Sequence, residues 1–203
     1  MERNANGLMQ PVIAALKPGL AVQLIVIDGR CGSGKSTLAR ALSEKLHAPV
    51  IRMDDFFLPF SMRTGERLLQ PGGNVHYERF AAQVLPFAGQ PDGFSYQRFH
   101  CDTGAFSPVE CRASAVRIVE GTYSLHPSLL PAWQAMQAVT VFLTVDEREQ
   151  LRRLAKRNPG LLDAFREKWI PMEEKYFSAF SVAEKAAIRL ISPGKEGENG
   201  TAL

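Results

Sequence analysis

An α/β fold built around a phosphate-binding loop is what the sequence predicts, on three observations. A short apolar run, Val22–Asp28, passes directly into Gly29-Arg30-Cys31-Gly32-Ser33-Gly34-Lys35-Ser36, which fills the pattern GxxxxGK[ST] at every fixed position before a helix-like run. Further apolar runs of strand length alternate with helical ones down the chain. Acidic residues stand where two of those runs end, at Asp54-Asp55 and at Glu120.

The loop's residue types follow from its task. Backbone N–H groups can hold a phosphate chain only if the loop curls tightly, and Gly32 and Gly34 permit a close approach that a Cβ would block. Behind them opens a helix N-terminus, whose free N–H groups and dipole favour an anion. Lys35 adds a mobile charge for the outer phosphates, and the Ser36 hydroxyl is placed to ligand Mg2+. The candidate nucleotide contacts are therefore Gly29, Arg30, Cys31, Gly32, Ser33, Gly34, Lys35, Ser36 and Thr37.

Composition narrows the class. With 203 residues, 45 % apolar and 22 % charged, the chain is long enough for one sizeable core, and one domain over 1–203 is expected. A net charge of only +3, with no basic run at a terminus, suits anionic small molecules and gives no reason to expect nucleic acid or a membrane as partner. A homo-oligomer is left open. Cys31, Cys101 and Cys111 lack CxxC spacing and a companion His cluster, which argues against zinc and disulfides and fits a cytoplasmic setting. Cys31, inside the loop, is expected either to have a lowered pKa or simply to fill a variable position. The first twenty residues show no long apolar core with a cleavage site and no run of eighteen apolar residues occurs, so neither secretion nor membrane spanning is expected.

In chain order, apolar spacing from Leu8 to Leu16 predicts a helix packed on the side of the domain, or less naturally a partner-binding one. Val22–Asp28 reads as a buried strand and Lys35–His47 as the helix behind it. Val50–Met53 is a second strand. Ligands of a parallel α/β sheet collect outside the carboxyl ends of the strands, so an acid after it points toward the phosphates. Neighbouring side chains diverge, so only one of Asp54 and Asp55 should enter the site. Residues 59–114 are Gly- and Pro-rich with one helix, Tyr77–Phe87, and read as a substrate-binding insertion. Its aromatics, among them Tyr77, Phe80, Phe94, Tyr96, Phe99 and Phe106, build either a slot for a ring or a small core of their own. His76 and His100 read as ordinary histidines.

Ala115–Glu120 is a third strand, whose terminal carboxylate can hold a water of a Mg2+ shell. Val139–Val145 is a fourth, and Asp146–Arg157 a helix whose pairs Arg148/Arg152 and Arg153/Arg157 lie at i, i+4. Stacked like charges repel unless an anion lies beside them, so residues 146–163 read as a lid whose planar guanidiniums meet phosphate, with a solvated basic helix as the plainer reading. Helical spacing resumes over Leu161–Phe180, with a boundary at Trp169-Ile170-Pro171. Ala187–Ile191 is the final strand, and the tail from Ser192 is expected to fray.

Taken together, these stretches resemble the uridine kinase-like branch of the P-loop kinases, which includes nicotinamide riboside kinases. The resemblance rests on GRCGSGKST (29–37), MDDFFLP (53–59), IVEGTYSLHPSL (118–129), the Arg-rich helix, and Trp169–Glu173 with Tyr176. It implies a P-loop three-layer fold with a five-stranded parallel sheet, and ATP- and Mg2+-dependent phosphorylation of a hydroxyl on a small molecule. On this resemblance Asp54 contacts the acceptor hydroxyl and serves as base, and Glu120 sits near Mg2+. Lys35 and Arg153 are expected at the transferring group, Arg152 and Arg157 at the phosphates, and Phe57, Tyr96 and Tyr123 beside Asp54 at the acceptor. Gly73–Phe80 departs from the Asp-rich run of uridine kinases, and Tyr96–His100 only loosely echoes their base-contacting segment. A nucleoside or similar ring-bearing alcohol is the acceptor class implied.

Two rival readings use the same loop. Val141–Glu147 mimics a Walker B strand ending in Asp146-Glu147, as in an ATPase that activates water. A non-catalytic nucleotide-binding module would bind ATP without turnover.

Overall fold

The computed structural model describes residues 2–194. The chain runs α1 (Glu2–Ala14), β1 (Gln23–Gly29), α2 (Lys35–Leu46) and β2 (Val50–Arg52). The insertion then supplies α3 (Gly65–Leu69), α4 (Tyr77–Gln83), α5 (Leu85–Ala88) and the strands β3 (Phe94–Phe99) and β4 (Phe106–Cys111). After it come β5 (Val116–Glu120), α6 (Leu130–Ala135), β6 (Val139–Thr144) and α7 (Glu147–Arg157). The last stretch holds α8 (Leu162–Ala164), a π-helical turn (Phe165–Trp169), α9 (Ile170–Phe180), α10 (Val182–Lys185) and β7 (Ile188–Ile191).

Five strands form one sheet in the order β2-β5-β1-β6-β7, every pair parallel. A parallel sheet must be covered on both faces, and the residues of β1 show how. Leu24 and Val26 enter one core with Met53, Phe56, Trp133 and Tyr176, while Ile25 and Ile27 enter the other with Leu38, Leu42, Val141 and Leu143. Each core buries one face, which gives the three layers expected. α1 packs against α2 through Met9 and Val12, as the spacing from Leu8 predicts. Among the described residues no helix is long and apolar enough to cross a membrane.

Residues 59–114 differ from their expected irregularity. β3 and β4 pair antiparallel as a hairpin, from Phe94 opposite Cys111 to Phe99 opposite Phe106. The helix expected over Tyr77–Phe87 is two, interrupted at Val84, because Pro86 has no N–H with which to continue the ladder. Half of the insertion's Phe and Tyr side chains are buried, namely Tyr77, Phe80, Tyr96 and Phe99, and the first three join the core on one face of the sheet, where Phe56 packs at 4.9 Å from Phe80 and 5.2 Å from Tyr96. The boundary at Trp169-Ile170-Pro171 is where α9 begins, with Pro171 in its first turn. Of the expected fraying tail, residues 195–203 lie outside the described residues.

Candidate active site

Parallel order brings the carboxyl ends of β1, β5 and β2 to one edge, and the residues after them surround a cleft of about 1730 Å³. A single small ligand fills a pocket of roughly 300–1,000 Å³, so this cleft has room for a nucleotide and a second small molecule. The phosphate loop is its floor: Cys31, Gly32, Gly34, Lys35, Ser36 and Thr37 line it. Gly29, Arg30 and Ser33 do not: Gly29 closes β1, Arg30 pairs with Glu174 at 3.0 Å, and Ser33 is fully buried. Gly34 caps α2 with φ of 101°, a conformation a side chain would strain.

Lys35 Nζ donates to the Gly29 carbonyl at 2.7 Å, the Arg30 carbonyl at 2.9 Å and Thr122 Oγ1 at 3.1 Å. Two of these acceptors open the loop and the third follows β5, and together they hold Lys35 at the cleft that it and Thr122 line. Ser36 Oγ donates to Glu120 Oε2 at 3.3 Å. These two oxygens are hard donors side by side, a set that suits Mg2+, which takes few protein ligands and keeps waters and phosphate oxygens for the rest. Among the described residues no group of three His, Cys, Asp or Glu side chains is placed to hold a metal ion by itself.

Asp54 and Asp55 part company as expected, although by different geometry. They lie on a 3-10 turn, Met53–Phe56, whose three residues per turn send adjacent side chains about 120° apart. Asp54 is open to the cleft and to a smaller cavity of about 320 Å³ beside it, together with Phe57. Asp55 turns inward, accepting the Tyr96 hydroxyl at 2.9 Å. Arg98 Nε lies 2.9 Å from the other Asp55 oxygen, at ion-pair distance, although its N–H is not aligned for a hydrogen bond. Tyr96, 3 % exposed, thus belongs to the floor beneath the site and not to its wall, and the expectation that it contacts the acceptor is corrected. Tyr123 and Phe57 both line the cleft.

Surrounding protein pushes the Asp54 carboxyl above its ordinary pKa even though solvent reaches it, with Lys35 pulling it back and Asp55 adding to the rise. Glu120 is raised by burial, opposed by Lys35, and Asp54 again adds to it. A raised carboxyl near a bound hydroxyl is the direction a general base requires. Cys31 goes the opposite way from the lowered thiol that the loop's charge suggested. Burial and the nearby Glu173 carboxylate push it up to about 12, so it is no reactive thiolate.

Two arginines of α7, Arg152 and Arg153, are compensated from within the chain. Glu149 accepts from Arg152 at 2.6 and 2.7 Å and from Arg153 at 2.8 Å, which holds its carboxyl down to about 2. Arg153 also donates to the Gly32, Ser33 and Pro193 carbonyls and to Ser192 Oγ. With five protein acceptors, two of them carbonyls of the loop, it braces that loop while lining the same cleft. Arg152 and Arg157 line the cleft. Asp146 caps α7, accepting the N–H groups of Arg148 and Glu149, which is the work of an N-cap and not of a Walker B acid.

Three site residues escaped the sequence reading. Asp28, fully buried, accepts the N–H groups of Gly29, Tyr123 and Leu125 and the Tyr176 hydroxyl, so one carboxyl ties the loop strand to the 121–125 turn and to α9. Glu173 accepts the Cys31 N–H at 2.8 Å, and Thr122 sits between it and Lys35. Their partners lie up to 148 positions away in the chain, beyond any local motif.

No family model matches the chain, and neither does any curated relative. Solved structures do. One, described as a "Possible Uridine Kinase" from Bacillus stearothermophilus, is 18 % identical with a TM-score of 0.67, covering 94 % of this chain and 100 % of that one. Another, a "putative fructose transport system kinase" from Silicibacter sp. TM1040, is 22 % identical with a TM-score of 0.60, covering 93 % and 98 %. The chain shares the α/β P-loop fold of these proteins over nearly their whole length.

Proposed function

We propose that this chain is an ATP-dependent small-molecule kinase that transfers a γ-phosphoryl group to a hydroxyl of a nucleoside-like acceptor. The observation that carries the reading is the convergence of Lys35, Ser36, Glu120 and Asp54 on one cleft, with room for two ligands. Phosphoryl transfer asks for in-line positioning and charge neutralisation, and little covalent chemistry. The names of the two similar structures agree with a kinase and differ in the acceptor they imply.

In this reading the loop N–H groups and Lys35 hold the phosphates, and Arg152 and Arg157 neutralise charge from the lid side. Ser36 and Glu120 would hold Mg2+, which when bound screens the negative charge of the phosphate oxygens. Asp54 aligns the acceptor hydroxyl and takes its proton, while Phe57 and Tyr123 flank the acceptor. The Walker B alternative loses support because Asp146 is spent on capping and neither it nor Glu147 lines the cleft.

The test is a screen of nucleosides, sugars, vitamins and hydroxy acids with ATP and Mg2+, read by mass spectrometry for the gain of one phosphate. Phosphorylation of at least one alcohol is expected. Steady ATP hydrolysis indifferent to every alcohol would support an ATPase, and ATP binding without any turnover would support the non-catalytic module.

A further inference from the structure

An anion-binding loop that already contains a carboxylate is unexpected on charge alone. Glu173 is 7 % exposed, and its Oε2 accepts the backbone N–H of Cys31 at 2.8 Å. Its Oε1 lies 3.2 Å from Thr122 Oγ1, which is 3.1 Å from Lys35 Nζ. A loop N–H is thus held by the protein's own anion, one hydroxyl away from the lysine that serves the outer phosphates. Among the described residues no Arg, Lys or His lies within ion-pair distance of it. Burying a carboxylate without an ion pair is costly, so an apolar or amide side chain here would serve packing better. Anchoring of α9 does not require it either, because Tyr176, one turn further on, already bonds Asp28 at 2.8 Å.

We propose that Glu173 is a resident anion of the phosphate loop. It competes with the outermost phosphate of an incoming nucleotide for the Cys31 N–H and the Lys35 ammonium, and so sets how strongly the loop prefers a triphosphate to a diphosphate. This rests on the nucleotide reading above. Carboxylate and phosphate are both acceptors with negative charge, and they cannot share one N–H at hydrogen-bond distance without strong repulsion. A diphosphate, which lacks the outermost group, meets less of that repulsion. Glu173 is therefore a positioning residue that lowers the affinity for triphosphate selectively.

Titration calorimetry of the full chain with Mg2+·ATP and Mg2+·ADP, wild type against Glu173→Gln, tests this. The amide oxygen keeps an acceptor for the Cys31 N–H and removes the charge. ATP binding should tighten roughly tenfold and ADP binding change about threefold or less, as expected for a charge removed beside the outermost phosphate. An unchanged ratio of the two affinities, or equal weakening of both, overturns the inference and leaves the kinase reading standing. A wild type that binds neither nucleotide overturns both. Should E173Q fail to fold, the Cys31 amide resonance of the wild type decides: a shift with ATP much larger than with ADP supports the competition, and equal shifts refute it.

Discussion

Gly29 leaves β1 with φ of 137°, and a Cβ built there would lie 1.9 Å from the Leu143 carbonyl oxygen of β6. Backbone, not a flexible side chain, is in the way, so β1 and β6 could not stay paired beside the loop. Gly29→Ala should destabilise the fold by about 2 kcal/mol or more, seen as a lower urea midpoint, because both the clash and the positive φ act against it. A variant as stable as wild type would contradict this placement. Tyr123 is the opposite case, a bulky residue at φ of 79° held there by its N–H bond to Asp28 and by its ring against Tyr176 at 4.9 Å. At this scale the sequence exposes whatever depends on fixed spacing: Lys35, Ser36, and an acid after each of two strands. Asp28, and the contact that Glu173 makes even though its stretch enters the resemblance, stay hidden because a Glu or Asp in a helix or strand carries no mark of a partner on a distant segment.

The hairpin of the insertion shows why an element can be missed. β3 alternates in polarity only over Phe94–Gln97 before Arg98-Phe99 breaks the period, and Pro108 lies within β4, so neither gives an alternating run of full strand length. Tertiary contacts fix the insertion instead. Arg117 of β5, with no exposed surface, donates to the carbonyls of Phe87, Ala88, Gln90 and Asp92, and its guanidinium lies over Phe94 at 5.2 Å. Arg117→Met should cost about 3 kcal/mol or more, since hydrogen bonds from a charged donor are each worth roughly 1.5–3 kcal/mol. Hydrogen exchange is expected to quicken over residues 85–99 before it does in β1 or β6; uniform quickening would mean that Arg117 does not act as a clamp. For α7, Asp146→Ala should cost about 1 kcal/mol as a lost N-cap while phosphoryl transfer continues. Loss of all turnover in a folded D146A variant would instead restore the Walker B reading.

Across the whole molecule, the layer order and the carboxyl-edge location of the site were readable, because both follow from a parallel sheet once the loop is placed on its first strand. How α9, the insertion and the 121–130 segment meet was not. His126 sits at that junction, stacked on Tyr77 at 4.0 Å and edge-on to Phe180 at 5.1 Å, and burial lowers its pKa from 6.5 to about 4. The unfolded chain therefore binds the proton more readily between those two values. The neutral ring's contribution is complete above about pH 6.5 and is lost as pH falls toward 4, at most about 3 kcal/mol and less for the part of the ring that solvent reaches. Asp28 and Glu173, raised by burial, act in the opposite sense, so the comparison to make is with His126→Phe. Denaturant stability of wild type should fall relative to H126F over that window, and parallel profiles would refute the assignment. The central claim is that one cleft holds a triphosphate while Asp54 aligns an alcohol beside it. Its most direct measurement is phosphoryl transfer to the best acceptor by wild type and Asp54→Asn, with ATP affinity measured in parallel. The account predicts a loss of kcat of about 10²–10⁴-fold with ATP binding within a factor of about three; transfer by D54N at the wild-type rate would contradict it.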